Sequence, residues 1–200
     1  MEKPNFDIFA EDNLYLLKPI GDEDRDNYMK TVIANADMPK IHCIPGYNDI
    51  LWSKTPDKGE RIFCIFEKTD YNYCGFCNIR RTDTSEPEIG ISLLSDFWSR
   101  GIGSRVLPLM MKEYISEKNA DYFIAKVYSN NYRCLRLMEK IGAVQTGTEK
   151  SEYKRIKEAI YISLKKAGIE NSRKKETEDD GRYICVLKIL PESLIKIVEG

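Results

Sequence analysis

Long apolar runs are missing from this sequence of 200 residues. No stretch approaches the roughly 20 apolar residues of a membrane-spanning helix, and the first residues, Met-Glu-Lys-Pro-Asn, are polar, unlike a secretory signal. An excess of either charge is missing too, since 31 Lys and Arg balance 32 Asp and Glu. The sequence therefore predicts a cytoplasmic protein that binds neither a membrane nor nucleic acid.

Residues that bind metals are equally sparse. His42 is the only histidine, and the six cysteines are scattered through apolar patterns, which is typical of free buried thiols. Cys74 and Cys77 have the C-x-x-C spacing, but no second pair accompanies them. On one strand, their side chains are expected on opposite faces. No metal site is predicted, and His42 is interpreted as a packed or surface residue.

The stretch that organises the chain covers 88–115. Apolar residues alternate from Glu88 to Leu94 as in a strand, and recur at helical steps from Val106 onward. The glycines between the two patterns allow a ligand to approach the backbone, and the first amides of the helix have no partner within it. We therefore expect a phosphate or pyrophosphate site formed by five consecutive residues, namely Arg100, Gly101, Ile102, Gly103 and Ser104.

A second strand and helix follow at 122–142. The β-rich run ends at an Asn pair suited to capping a helix, and apolar residues then recur at helical spacing up to Gly142. The glycine turn by itself matches neither common phosphate motif, because Val106 replaces the third glycine of a dinucleotide-binding turn and the Gly-Lys-Ser/Thr of a P-loop is absent. The glycine turn must therefore be interpreted together with this second strand and helix.

Together the two units resemble the GNAT superfamily of acyl-CoA N-acyltransferases. The family's cofactor motif, Gln/Arg-x-x-Gly-x-Gly/Ala, is similar to the run from Trp98 to Gly103, Trp-Ser-Arg-Gly-Ile-Gly. Trp98 departs from the first position. With Phe97 before it, Trp98 resembles the ribosomal-protein alanine acetyltransferase (RimJ/RimL-like) branch of the family.

The family's second motif is similar to Asn131-Tyr-Arg-Cys134 followed by Glu-Lys-Ile-Gly-Ala143. Cys134 replaces a small residue of the family pattern, and Ala143 replaces the usual Phe. The resemblance covers about residues 12–148 and resumes near 182–190.

This resemblance implies an α/β (α+β) fold with a mixed, splayed central sheet of about seven strands flanked by helices. Residues 1–200 are expected to form a single acyl-CoA N-acyltransferase domain. An insertion at about 151–181 departs from the family pattern: an extra helix with an apolar stripe and a charged loop precede the last strand. Three roles remain open for the apolar stripe: it packs on the domain, it covers the acceptor cleft, or it forms a homodimer interface.

The resemblance also implies that acetyl-CoA is the acyl donor and that no metal takes part. The backbone at Leu93 and Leu94 is expected to pair with the pantetheine amides, and Asn131 to hydrogen-bond the same arm. Glu88 takes the place where relatives have a carboxylate near the amine, as a base or an amine-orienting group, with Asp83 and Glu86 as alternatives.

The group that protonates the departing thiolate is less defined. Many relatives have a tyrosine seven residues after the capping Asn, where this chain has Met138. Because a thiol leaves with a reference pKa of about 8.5, its absence need not abolish turnover. Tyr132 or solvent are the expected substitutes.

The leading functional prediction is acetyl transfer from acetyl-CoA to a primary amine, including a protein N-terminal amine. The first alternative is a small amine such as a polyamine, an amino sugar or an antibiotic. The second, from another functional class, is a CoA-binding regulatory protein without turnover.

Overall fold

The computed structural model describes residues 7–169 and 181–198. The strands are β1 Ala10–Glu11, β2 Tyr15–Pro19, β3 Arg61–Glu67, β4 Tyr73–Arg80, β5 Glu88–Leu93, β6 Phe123–Tyr128, β7 Val144–Lys150 and β8 Tyr183–Ile189. The α-helices are α1 Arg25–Ala34, α2 Tyr47–Trp52, α3 Ile102–Glu117, α4 Tyr132–Lys140, α5 Tyr153–Lys166 and α6 Pro191–Val198. Short 3₁₀ helices form at Asp22–Asp24, Pro39–Cys43 and Ser95–Phe97.

All eight strands belong to one sheet with the order β1-β2-β3-β4-β5-β6-β8-β7. Neighbouring strands are antiparallel except β5 and β6, which run parallel. That parallel ladder is short, with Glu88 opposite Ile124 and Ile89 opposite Ala125. Beyond it the two strands have no ladder pairs, although both continue for several residues, so the sheet opens into a splay at its centre.

The strand alternation puts a separate apolar layer on each face of the sheet. One face, called the α3 face below, packs against α3, α4 and α6 and carries the largest cluster of buried residues. The other, called the α1 face, is covered over β3 to β5 by α1 and α2, where Tyr28 lies 4.7 Å from Phe76 and 5.8 Å from Trp52 between ring centroids. The splay is therefore flanked by α3 and α4 on one face and by α1 on the other.

The predicted mixed sheet flanked by helices is confirmed, with the short β1 as an additional strand. The prediction for Cys74 and Cys77 is wrong, because both are buried in the cluster on the α3 face. In the pairing of β3 with β4, Ile65 lies opposite Gly75 and Phe66 opposite Tyr73, so Cys74 is an extra residue in a bulge. A bulge changes the parity of the strand, which places two residues three positions apart on one side.

The extra helix predicted before the last strand is α5. Leu164 is fully buried, and α5 packs against the 3₁₀ helix Pro39–Cys43, so part of its apolar stripe is covered within the chain. Ile156 and Ile162 remain 48% and 54% exposed. Of the predicted charged loop at 172–181, only Gly181 lies within the described residues, and the single-domain organisation stays a prediction.

No helix among residues 7–169 and 181–198 has the length and apolarity to cross a membrane. Over the same residues, no group of three or more His, Cys, Asp or Glu side chains is arranged to hold a metal ion.

Candidate active site

The splay between β5 and β6 opens into a cleft of about 460 Å³ on the side of α3 and α4. The end of β5 forms one wall, the turn before α3 forms the floor, and α4 forms the other wall. Three basic side chains of α4, Arg133, Arg136 and Lys140, line this second wall. Together the elements make an apolar slot with a cationic rim.

The N-terminus of α3 lies at the cleft. Gly101 is the N-cap with a φ of +79°, a left-handed conformation that favours glycine, and no acidic residue occurs in the first helical turn. The Ser104 hydroxyl donates to the Gly101 carbonyl at 2.9 Å. The N–H groups of Ile102 and Gly103 belong to the first turn, where an α-helix offers donors to an anion. This geometry suits a phosphate group.

The structure places the predicted residue Arg100 differently from its neighbours. Its guanidinium stacks over the Phe97 ring at 5.0 Å and lies 4.0 Å from a Glu67 carboxylate oxygen. Arg100 is absent from the cleft lining, whereas Arg133, which the sequence analysis missed, stacks over the Trp98 ring at 4.1 Å and does line it. In the sequence, the basic residues of α4 look like ordinary charges on the exposed side of a helix, so no local signal identifies them as cleft residues.

Gly103 is a packing residue. A Cβ added there would lie 2.6 Å from Leu137 Cδ2 and 3.5 Å from Ile91 Cδ1. Gly103 is also buried, whereas a Cβ at Gly101 would meet only the Ser104 hydroxyl, at 3.9 Å. The two glycines of the turn therefore differ, since Gly101 permits the backbone conformation and Gly103 lets α3 approach α4.

At the splay, some backbone hydrogen-bonding groups of β5 already have partners within the chain. The Leu93 carbonyl accepts from the Asn35 side chain at 3.1 Å and from the Trp98 indole at 2.9 Å, while the Leu94 N–H donates to the Cys74 carbonyl at 2.9 Å. Backbone groups alternate in direction along a strand, so Ile91 and Leu93 point towards the splay and Leu94 points towards β4. Ile91 is a cleft residue that sequence reasoning did not identify.

Asn131 lines the cleft and caps α4, as its position in the sequence predicted. Its side-chain oxygen accepts the Cys134 N–H at 3.1 Å, which leaves its NH₂ group for another partner. Met138 is buried in the core, and Tyr132 is exposed at the first turn of α4. The thioether of Met138 has no exchangeable proton, so the role of Tyr132 or solvent as the acid stays a prediction.

Glu88 is the first of the two β5 residues that pair with β6, two positions before the splay begins. Its side chain is only 13% exposed and forms an ion pair of 2.5 Å with Arg80, which is 51% exposed. The alternatives are less central, because Glu86 accepts a hydrogen bond from the Tyr122 hydroxyl and Asp83 lies beside Gly59. Glu88 is the carboxylate of the three that lies on β5 itself.

The Cys134 thiol, which also lines the cleft, allows a chemical test of this arrangement. Although Cys134 is only partly buried, desolvation raises its pKa to about 11, whereas Cys43 is exposed. Because the thiolate is the reactive form, we expect iodoacetamide at pH 7.5 to alkylate Cys43 first, and Cys134 to react about tenfold faster for each added pH unit below 11. Mass spectrometry of peptides would measure both rates, and equal rates at pH 7.5 would contradict the burial of Cys134.

Residues 16–144, which include β5, the glycine turn and α4, match the acetyltransferase (GNAT) domain family. The chain belongs to the GNAT family. The GNAT domain is 28% identical over 167 residues to an uncharacterized protein of Methanocaldococcus jannaschii, a match that covers 72% of this chain. It spans only 33% of that longer relative.

Solved structures resemble the GNAT domain in fold. A spermidine N-acetyltransferase from Vibrio cholerae, solved in complex with CoA and spermine, has a TM-score of 0.64 at 12% identity, covering 92% of this chain and 99% of that one. A domain from Methanocaldococcus jannaschii has a TM-score of 0.58 at 16% identity, covering 88% and 98%. The predicted GNAT family and mixed α/β fold are confirmed.

Proposed function

We propose that this GNAT domain transfers the acetyl group of acetyl-CoA to a primary amine. One observation carries the proposal: the splay of β5 and β6, the free amides of α3 and the basic side of α4 converge on a single cleft. An apolar slot with a cationic rim suits the pantetheine arm and the phosphates of one ligand.

In this proposal the pyrophosphate is held by the N–H groups of residues 102–104 and by the basic residues of α4. Within the described ranges, Arg133, Arg136 and Lys140 form no ion pair with a carboxylate, so their charges are available to an anion. The Asn131 NH₂ group and the backbone of Ile91 and Leu93 pair with the pantetheine arm. Arg100 contributes only if its side chain leaves Phe97, and Leu94 contributes through groups other than its N–H.

The proposed reaction forms a C–N bond, breaks the thioester C–S bond and moves one proton from the amine. Glu88 is the proposed base or amine-orienting group, because it lies two positions before the splay and is largely shielded from solvent. The departing thiolate takes its proton from solvent or from Tyr132, since Met138 has no exchangeable proton. Cys134 is proposed as a packing residue, because burial holds its thiol protonated.

Two kinds of acceptor remain in the proposal. Phe97 and Trp98 support the ribosomal-protein alanine acetyltransferase (RimJ/RimL-like) branch, and thereby a protein N-terminal amine. The structural similarity to the Vibrio spermidine enzyme with bound CoA and spermine supports a small amine. A CoA-binding protein without turnover is the third reading, which the buried Met138 favours. A homodimer and a cytoplasmic location stay predictions.

Two measurements test this function. Acetyl-CoA at 100 times its dissociation constant should stabilise the native protein by about 2.7 kcal/mol, seen as a rise in melting temperature. Thiol release should then be assayed with an Ala-terminated peptide, a lysine side-chain analogue, spermidine and an amino sugar. Binding with turnover of one amine identifies the acceptor class. Binding without any turnover favours the regulatory reading, and absence of binding overturns the proposed cofactor site.

A further inference from the structure

Asn78 lies on β4 directly opposite Gly90 of β5. Gly90 is the first residue of β5 after the last ladder pair with β6, so this position is where the splay starts. Asn78 is two positions from Phe76 and from Arg80 on β4, and Gly90 is two positions from Glu88 on β5. Because alternate residues of a strand share a face, the Asn78 side chain lies on the α1 face beside Phe76. An amine that reaches the splay from the α1 face would pass this side chain.

The orientation of the Asn78 amide is determined by its partner. The Nδ2 group donates to Glu60 Oε1 at 2.5 Å. The second oxygen of Glu60, Oε2, accepts the Asp57 N–H at 3.2 Å. Because a carboxylate only accepts hydrogen bonds, the NH₂ side of the amide must face Glu60 and the carbonyl Oδ1 must face the other way.

That carbonyl oxygen lies directly over the backbone of Gly90. A Cβ added at Gly90 would overlap Asn78 Oδ1, while Cγ and Nδ2 would be 3.5 and 3.9 Å away. The absence of a side chain at Gly90 therefore lets the amide extend over β5 towards the splay. In the part of the chain that the structure describes, no protein donor is recorded for Oδ1.

Glu60 adds a charge to this arrangement. Its recorded partners are neutral N–H groups, and among the described residues it forms no ion pair, in contrast to Glu88 with Arg80. The carboxylate is half-buried, so its field is less screened than that of an exposed group. A protonated amine approaching Asn78 would therefore be attracted to the site before it loses its proton.

We propose that Asn78 is a specificity-determining residue for the acceptor: its Oδ1 accepts a hydrogen bond from the incoming amine and orients the nitrogen lone pair towards the splay. Glu60 is the positioning residue that holds the amide in this orientation, and Gly90 provides the space. This inference rests on the proposed acetyl transfer. It predicts preference for primary amines, which retain an N–H to donate after one N–H faces the base.

Gly90→Ala tests the inference without removing either polar group. The new methyl group should displace the amide and lower kcat/KM for the amine by tenfold to about a hundredfold, as small misplacements in an active site do. Acetyl-CoA affinity and melting temperature should change little. Gly147→Ala is the matched control, because Gly147 also lies on a strand and an added Cβ there has nothing within 4 Å.

Glu60 variants separate positioning from a general loss of structure. Glu60→Gln keeps an oxygen that accepts from Asn78 Nδ2 and should retain most of kcat/KM, whereas Glu60→Ala should resemble Asn78→Ala, and the double variant Glu60→Ala/Asn78→Ala should be no worse than either. The assays use the amine that wild type turns over in the panel above.

The outcomes are distinguishable. A wild type that turns over no amine overturns the proposed function and this inference with it. A wild type that turns over an amine, together with unchanged kcat/KM in Gly90→Ala and Asn78→Ala, overturns the inference alone. A loss in Gly90→Ala that is accompanied by an equal loss of acetyl-CoA affinity also overturns it, since the effect then lies in the cofactor cleft.

Discussion

Glu88→Gln is expected to lower kcat by about 10² or more while acetyl-CoA affinity stays nearly unchanged. A positioned group that takes a proton in the transition state is typically worth 10²–10⁴, and the glutamine amide keeps the size of the side chain without a basic oxygen. Arg80 would lose its partner, but it is half exposed, so the folded state should lose little stability.

The pH profile distinguishes a base from a structural carboxylate. The variant should regain part of its activity at high pH, where more of the acceptor is already neutral. At pH 7 the neutral fraction of a lysine-type amine is only about four parts in ten thousand, whereas that of an α-amine is about a tenth. The loss of activity should therefore be larger with a lysine-type acceptor. Glu86→Gln is the control and should stay active. Full activity of Glu88→Gln at pH 7 would make Glu88 structural and leave water as the base.

Gly103→Val is expected to weaken both the fold and the proposed acetyl-CoA site. The valine methyl groups would collide with Leu137 and approach Ile91, and overpacking of this kind typically costs about 1–3 kcal/mol of unfolding free energy. If α3 and α4 move apart to relieve the collision, the helix amides and the basic side chains of α4 no longer converge. Acetyl-CoA affinity should therefore fall as well, as titration calorimetry would measure.

A double-mutant cycle tests the stated cause. Leu137→Ala makes room at the collision point, so Gly103→Val/Leu137→Ala should be more stable than the sum of the two single effects implies. Urea unfolding of the four proteins gives this coupling energy. Strict additivity would show that the valine acts elsewhere, and a Gly103→Val variant with native stability and affinity would contradict the packing role of Gly103.

The family, the fold and the region of the cleft could be predicted because they depend on local patterns. The change from strand to helical periodicity locates the glycine turn, and an asparagine before an apolar helix locates the cap of α4. Each of these signals is contained in its own short window of sequence. The structure agrees with the sequence at both positions, since Gly101 and Asn131 are the N-caps of α3 and α4.

What the sequence could not provide depends on contacts between distant residues. Gly101 and Gly103 look alike in the turn, and only Leu137, on another helix, distinguishes them. The direction of the Leu94 N–H follows from its pairing with Cys74, and the bulge at Cys74 from the register of two strands. Such registers are set by how whole strands pair, which no short window of sequence contains.

The proposed role of Asn78 also depends on the register of two strands. Twelve positions separate it from Gly90, and nothing in either local sequence suggests that an amide extends over a glycine. The relation exists because β4 and β5 are antiparallel with these residues opposite each other. The ion pair of Glu88 with Arg80, two positions along the same strands, arises in the same way.

The order of the strands also bears on when the cleft forms during synthesis of the chain. β8 lies between β6 and β7, although β7 ends at Lys150 and β8 begins only at Tyr183. Until β8 has left the ribosome, β7 has no neighbour in the described sheet, and β6 lacks the outer strand that holds its side of the splay. Because domains fold largely as units while the chain emerges, a nascent chain that ends before Tyr183 should not yet retain acetyl-CoA. The cleft is lined by Asn35 and by residues between Ile91 and Lys140, yet we expect it to form only after the ribosome has added the strand at Tyr183–Ile189.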